Sequence, residues 1–122
     1  MANLISTPLK TVLLVSDQDD SRILLRWFLS TSGYVVESVR NAPEAMSVFD
    51  PAIHDMIVTE NVMPGMSGVE MAHIIKLRSP TTPVVMYTGN PPSDCSCLNL
   101  VVERSAHMLV LKMGMDRVFA AL

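Results

Sequence analysis

The sequence predicts an α/β domain, an open and doubly wound parallel sheet with helices on both faces. Three observations carry this. Short apolar, β-branched runs of four to six residues recur along the chain, as in strands buried on both faces. Segments with apolar residues at helical spacing separate them. The 122 residues suffice for one domain of ordinary size, but a closed barrel of eight strand–helix units takes about 250 residues.

Thr11 to Val15 is the first strand-like run, and Asp19 or Asp20 caps the helix after it. Leu24, Leu25, Phe28 and Leu29 form that helix's apolar face, and Gly33 stops it. Tyr34 to Val39 reads as the second strand. Asn41 with Glu44 resembles a capping box, Pro43 suits a first turn, and Ala45, Met46, Val48 and Phe49 follow as an apolar face. Met56 to Thr59 is the third strand. Ser67 with Glu70 makes a second capping box, Met71, Ala72 and Ile75 an inner face, and Ser79-Pro80 an end. Val84 to Tyr87 is the fourth strand. Pro91-Pro92 argues for a loop from Gly89 to about Cys97, because proline in a helix interior costs about 3 kcal/mol. A shortened helix is expected from about Leu98 to Arg104, then a fifth strand from Met108 to Leu111 and a last helix from Asp116 to Leu122.

Composition excludes several classes. With 49% hydrophobic and 17% charged residues and a net charge of −3, the chain is no disordered tail. No apolar run approaches the roughly 18 residues of a membrane span. Met1 to Lys10 lacks the flanks of a signal peptide and reads as an N-terminal extension, so the cytoplasm is the expected compartment. The short final helix points to the N-terminal domain of a longer protein. Nine scattered basic residues give no stripe for nucleic acid, and two cysteines give no disulfide scaffold.

Open parallel sheets place function at the carboxyl ends of their strands. Here those ends read Ser16-Asp17, Glu60-Asn61, Thr88-Gly89 and Lys112-Met113. Two carboxylates suit a hard cation such as Mg²⁺. A hydroxyl and an ammonium suit an anion beside it.

The chain from Thr11 onward resembles the response-regulator receiver domain of two-component signalling. The resemblance rests on Asp55-Met56-Ile57-Val58-Thr59-Glu60 running into Met63-Pro64-Gly65-Met66-Ser67-Gly68. Leu14-Val15-Ser16-Asp17, Pro83-Val84-Val85-Met86-Tyr87-Thr88 and Leu109-Val110-Leu111-Lys112 support it. It implies a flavodoxin-like fold with strand order 2-1-3-4-5, and transfer of a phosphoryl group from a histidine kinase to an acid at the end of the third strand. Glu60 stands at that phosphoacceptor position. Thr88 and Lys112 stand where the family contacts the phosphoryl group. Asp17, Glu60 and the backbone carbonyl of Val62 stand where it holds Mg²⁺.

The departures imply a degenerate member. Glutamate replaces aspartate at Glu60, Ser16 replaces one of two acids, Leu109 replaces an aromatic residue three before the lysine, and Met113 replaces a proline after it. Phosphoryl transfer is mostly positioning and charge stabilisation. An added methylene misplaces the carboxylate, and about 1 Å can cost on the order of 100-fold in rate. The loss of an acid at Ser16 weakens any Mg²⁺ site. The expectation is therefore no phosphorylation at Glu60, weak Mg²⁺ at most, and a Glu60–Lys112 ion pair or a relay through Thr88. Without the proline, the Lys112–Met113 peptide should be trans. The domain would be no enzyme and would bind a protein partner: an output domain, a histidine kinase, or a second copy in a homodimer. It would bind no nucleic acid and no membrane. Two alternatives stand beside this reading, a receiver phosphorylated at another acid such as Asp17 and a small metal-dependent phosphate-ester hydrolase.

Other residues of note read as structural. Cys95 and Cys97 are incidental to a loop; His54 and His73 are surface residues, and none of the histidines lies near a nucleophile; Trp27 packs at least half buried. Met113 and Met115 read equally as core plugs or as a partner surface.

Overall fold

The computed structural model describes residues 9–122, so most of the 1–10 extension lies outside it. Strands β1 (Thr11–Val15), β2 (Val35–Val39), β3 (Met56–Thr59), β4 (Val84–Thr88) and β5 (Leu100–Glu103) form one parallel sheet in the order β2-β1-β3-β4-β5. Helices α1 (Asp19–Thr31), α2 (Ala42–Val48), α3 (Gly68–Arg78) and α4 (Met108–Ala120) cover it. Alternation along the strands divides the core into two layers. Val12, Leu14, Met56 and Val58 meet Leu25 and Leu29 of α1 and Leu111 and Met115 of α4. Leu13, Val15 and Ile57 meet Ala42 and Ala45 of α2 and Met71, Ala72 and Ile75 of α3.

The helix signals act largely as read. Ser67 and Glu70 close a full capping box, and the Ser67 backbone N–H leads the contacts that hold the Glu70 carboxyl below its usual range. Asn41 accepts from the Glu44 N–H at 2.8 Å, but Glu44 reaches back to Arg40 instead of Asn41. Gly33 takes φ 103° just beyond α1, a conformation that favours glycine. Gln18, not an aspartate, is the α1 cap position; Asp19 begins the helix and pairs with Arg22 at 2.7 Å.

The last third of the chain departs from expectation. No helix lies between β4 and β5; residues 89–99 cross directly, and Pro91-Pro92 fits the loop at their start. The expected helix over Leu98–Arg104 is β5, and the expected strand over Met108–Leu111 is the first turn of α4. Two apolar runs compete for the fifth strand position, and the nearer one takes it. Asn99 starts the pairing, with its N–H donating to the Val84 carbonyl and its side chain accepting from the Val84 N–H. The later run has buried or half-buried residues at Met108, Leu111, Met115 and Val118, which is helical spacing. Met115 is therefore a core residue and Met113 an exposed one.

Two further expectations fail. Trp27 is exposed on α1 beside Ile23 and Leu24, because Leu25 and Leu29 supply the buried face. His54 is 2% exposed. Its Nδ1 accepts from the Asp50 N–H at 3.0 Å and its Nε2 lies 2.6 Å from Glu37 Oε1, so both polar atoms are satisfied in the interior.

Candidate strand-end phosphoacceptor site

The sheet ladder builds the site. The Glu60 N–H donates to the Val15 carbonyl at 3.0 Å, continuing the β1–β3 pairing by one residue. The Arg104 N–H donates to the Thr88 carbonyl at 2.9 Å, continuing β4–β5 in the same way. Glu60, Thr88 and Arg104 thus emerge together at the carboxyl edge. The Thr88 hydroxyl donates to Glu60 Oε1, and the Asn61 N–H donates to the same oxygen at 2.8 Å. Arg104 Nη1 pairs with Glu60 Oε2 at 2.8 Å, while Nη2 donates to the Ser21 hydroxyl. The Glu60 side chain is 8% exposed and that of Arg104 32%. An apolar pocket of about 290 Å³ lies against the pair, walled by Leu14, Leu25, Val58, Tyr87 and Met108. Low-dielectric walls strengthen the attraction.

The expected Glu60–Lys112 contact is thereby corrected. Lys112 lies in α4, where it pairs with Asp116 at 2.7 Å. Because β5 ends at Glu103, the basic residue at the strand end is Arg104, with Val101 three before it and Ser105 after it. Leu109 and Met113, exposed in α4, do not occupy the positions assigned to them. The Lys112–Met113 peptide is trans, no cis bond occurring among the described residues, and it lies inside a helix, not in a rerouted loop. Arg104 was legible as the basic residue ending Leu-Val-Val-Glu-Arg, but Leu-Val-Leu-Lys presented the same pattern further on.

Ser16 and Asp17 follow β1 as expected. Ser16 is buried, and its carbonyl accepts from Arg22 Nη1 at 3.0 Å. Asp17 Oδ1 is buried without a hydrogen-bond partner. It faces a pocket of about 300 Å³ shared with Glu60, Val62, Asn90 and Arg104. Asn61 ties the loops around this pocket: its Oδ1 accepts from the Val69 N–H and its amide donates to the Asn90 carbonyl at 2.8 Å.

These residues do not fit a tight Mg²⁺ site. Only the Asp17 carboxylate has a free oxygen. Both Glu60 oxygens are engaged, and the Arg104 guanidinium brings positive charge to the same pocket. Asp17 alone offers too little ligand charge for the two positive charges of Mg²⁺. Among the described residues no three His, Cys, Asp or Glu side chains converge as metal ligands.

A five-stranded parallel sheet with an acid, a hydroxyl and a base converging at its carboxyl edge is the architecture of a phosphorelay receiver. The chain belongs to the response regulator receiver domain family, whose profile matches residues 12–121. It is similar to the transcriptional regulatory protein ResD of Bacillus subtilis (strain 168), 32% identical over 78 residues, which cover 64% of this chain and 32% of ResD. It also resembles a cyclic di-GMP phosphodiesterase of Thermotoga maritima, 29% identical over 102 residues, 84% of this chain and 27% of that protein. The chain thus spans about a third or less of these relatives. Among solved structures, the response regulator TrrA of Thermotoga maritima, in complex with Mg²⁺ and BeF, is 26% identical at a TM-score of 0.85, covering 90% of this chain and 99% of that one. TrrA is also known in complex with the histidine kinase ThkA; that structure matches at a TM-score of 0.82 and 26% identity, covering 90% and 98%.

Proposed function

We propose that this receiver is degenerate and acts through protein–protein contact, without phosphorylation at Glu60. One observation carries the reading: both Glu60 carboxylate oxygens are engaged, one by Thr88 and Asn61 and the other by Arg104. Attack on a phosphoryl donor needs a carboxylate oxygen free to approach in line. Glu60 instead places its own charge where a phosphoryl group would meet the hydroxyl and the base. The mimicry is partial, since a carboxylate carries one charge and a phosphoryl group nearly two. Glu60, Thr88 and Arg104 would hold the loops in one arrangement; Asp17 and the Val62 carbonyl would bind Mg²⁺ weakly. No helix of the described residues is long and apolar enough to cross a membrane, which fits a cytoplasmic module. Its partner is an output domain, a histidine kinase or a second copy.

The test is incubation with acetyl phosphate and Mg²⁺, read by intact mass. The chain should stay unmodified and should not hydrolyse p-nitrophenyl phosphate. A phosphoryl adduct mapped to Glu60 overturns the reading. An adduct at Asp17 replaces it with a receiver that uses a different acid, and turnover of the ester makes the domain a hydrolase. The combined substitutions Ser16→Asp, Glu60→Asp and Arg104→Lys should raise Mg²⁺ affinity at least tenfold, because ligand charge rises and the competing guanidinium leaves.

A further inference from the structure

The segment that replaces the helix between β4 and β5 assembles a second cluster. Against the expectation that no histidine lies near a nucleophile, Cys97 Sγ lies 3.0 Å from His73 Nδ1, and His73 Nε2 lies 3.4 Å from Asp94 Oδ2. His73 stands on α3; Asp94 and Cys97 belong to the β4–β5 connection. The order is that of a nucleophile, a base and a group that orients the base. Asp94 is itself fixed, because its Oδ1 accepts from the Ser96 N–H at 3.0 Å. That bond leads the contacts holding its carboxyl below the usual range, with His73 adding to them, so it is charged at neutral pH. Lys76, one turn beyond His73, is anchored by the Thr82 carbonyl and by Asn99. A second thiol is adjacent. The Leu98 N–H donates to the Cys95 carbonyl at 3.0 Å, so one tight turn contains both cysteines. Cys95 is exposed and Cys97 partly so. No three of these groups converge as metal ligands do.

We propose that Cys97 is an oxidant-responsive thiol, with His73 as its base and Cys95 as its resolving partner. The oxidant is a hydroperoxide. His73 takes the Cys97 proton, and the thiolate sulfur attacks the terminal peroxide oxygen. A sulfur–oxygen bond forms and the oxygen–oxygen bond breaks. The departing alkoxide or hydroxide recovers the proton from His73 and leaves as alcohol or water. Sulfur is oxidised by two electrons and the peroxide is reduced by two. The Cys95 sulfur then attacks the sulfenic sulfur; the disulfide forms, and the hydroxyl leaves with the Cys95 proton as water. The open surface admits a small oxidant, and the adjacent thiol stops oxidation at a reversible stage. The cross-link would tighten a connection that also touches the strand-end site, through the Asn90 carbonyl bonded to Asn61.

The experiment treats the reduced full chain with one equivalent of hydrogen peroxide and reads intact mass and peptide maps. The expected result is a monomer lighter by two hydrogens, linked Cys95 to Cys97 and restored by dithiothreitol. Cys95→Ser should instead gain one oxygen at Cys97, trapped by dimedone. His73→Gln, at an exposed position, should slow alkylation of Cys97 by iodoacetamide roughly tenfold at neutral pH. The difference should vanish well above pH ~8.5, where a free thiol ionises unaided. His73, Asp94, Lys76 and Cys95 are the titratable groups around this thiol. The proposal fails if His73→Gln leaves the neutral-pH rate unchanged, or if Cys97→Ser is oxidised at Cys95 as fast as the unsubstituted chain.

Discussion

At Glu60 both carboxylate oxygens are partnered inside the protein. One accepts from the Thr88 hydroxyl and the Asn61 N–H, and the other pairs with the Arg104 guanidinium. Removing one member of such a pair leaves the other with an unmet demand, which costs about 1–3 kcal/mol. We expect Glu60→Gln and Arg104→Ala each to lower the thermal midpoint by several degrees. Combined, they should cost clearly less than the sum, with a coupling of about 1–3 kcal/mol in a double-mutant cycle of urea unfolding. Strict additivity would mean that the pair is not formed in solution. Cys97 and His73 make the complementary point. Each alone is an ordinary surface residue, and 3.0 Å between Sγ and Nδ1 makes them a candidate pair.

At the scale of elements, the Asn99 side chain fastens the start of β5 to the start of β4. Asn99 Oδ1 accepts from the buried Val84 N–H at 2.9 Å and from Lys76 at 2.8 Å. Asn99→Ala should cost about 1–3 kcal/mol and speed hydrogen exchange at the Val84 amide above that of its strand neighbours. Unchanged protection at Val84 would show that other contacts hold the start of the strand. Gly68 opens α3 beneath the Glu60 loop, where an added Cβ would strike the Glu60 carbonyl oxygen, a backbone atom with little freedom to move. Alanine favours a helix over glycine by about 1 kcal/mol. A forced backbone shift costs about 1–3 kcal/mol, so the clash should outweigh the gain. Gly68→Ala should lower stability in urea unfolding, and a stabilised variant would mean that the loop yields freely.

Across the whole molecule, Tyr34 just before β2 and Asp116 in α4 join distant parts of the chain at 2.6 Å. Burial, then the Asp116 carboxylate, push the Tyr34 phenol well above its ordinary value. The sign follows from the proton count. The unfolded chain releases this proton first, so the contribution is complete below pH ~10 and is lost as pH rises toward the folded value. Tyr34→Phe should therefore be less stable at neutral pH and should lose less stability than the unsubstituted chain between pH ~9 and ~11. Asp116 carries the opposite dependence. Burial would raise its carboxyl, but Lys112 and Tyr34 outweigh it and hold the group below the usual range. Its contribution is present above pH ~4 and is lost as pH falls through the lower, folded value. Parallel pH profiles for Tyr34→Phe and the unsubstituted chain would show that the phenol titrates alike folded and unfolded.

Family resemblance supplied the strand order; the residues by themselves determined the parallel sheet, its first four strands and the placement of Asp17, Glu60 and Thr88 at its edge. These follow from local signals: unbroken β-branched runs, capping residues beside them, and a polar residue where each run stops. The residues also determined that no regular helix passes through Pro91 and Pro92. Only the tertiary structure decided which of two apolar runs became β5. Leu100–Glu103 and Met108–Leu111 are alike over four residues, and the difference lies in what each can pair with. The first is fastened to β4 through Asn99, and the second has Met115 and Val118 to complete a helical face over the core. That choice replaced Lys112 with Arg104 at the strand end. The same short connection carried Cys97 to His73, a meeting of residues far apart in the chain that no spacing within the sequence encodes. A short apolar run has no preference strong enough to settle its own conformation, so long-range pairing settles it.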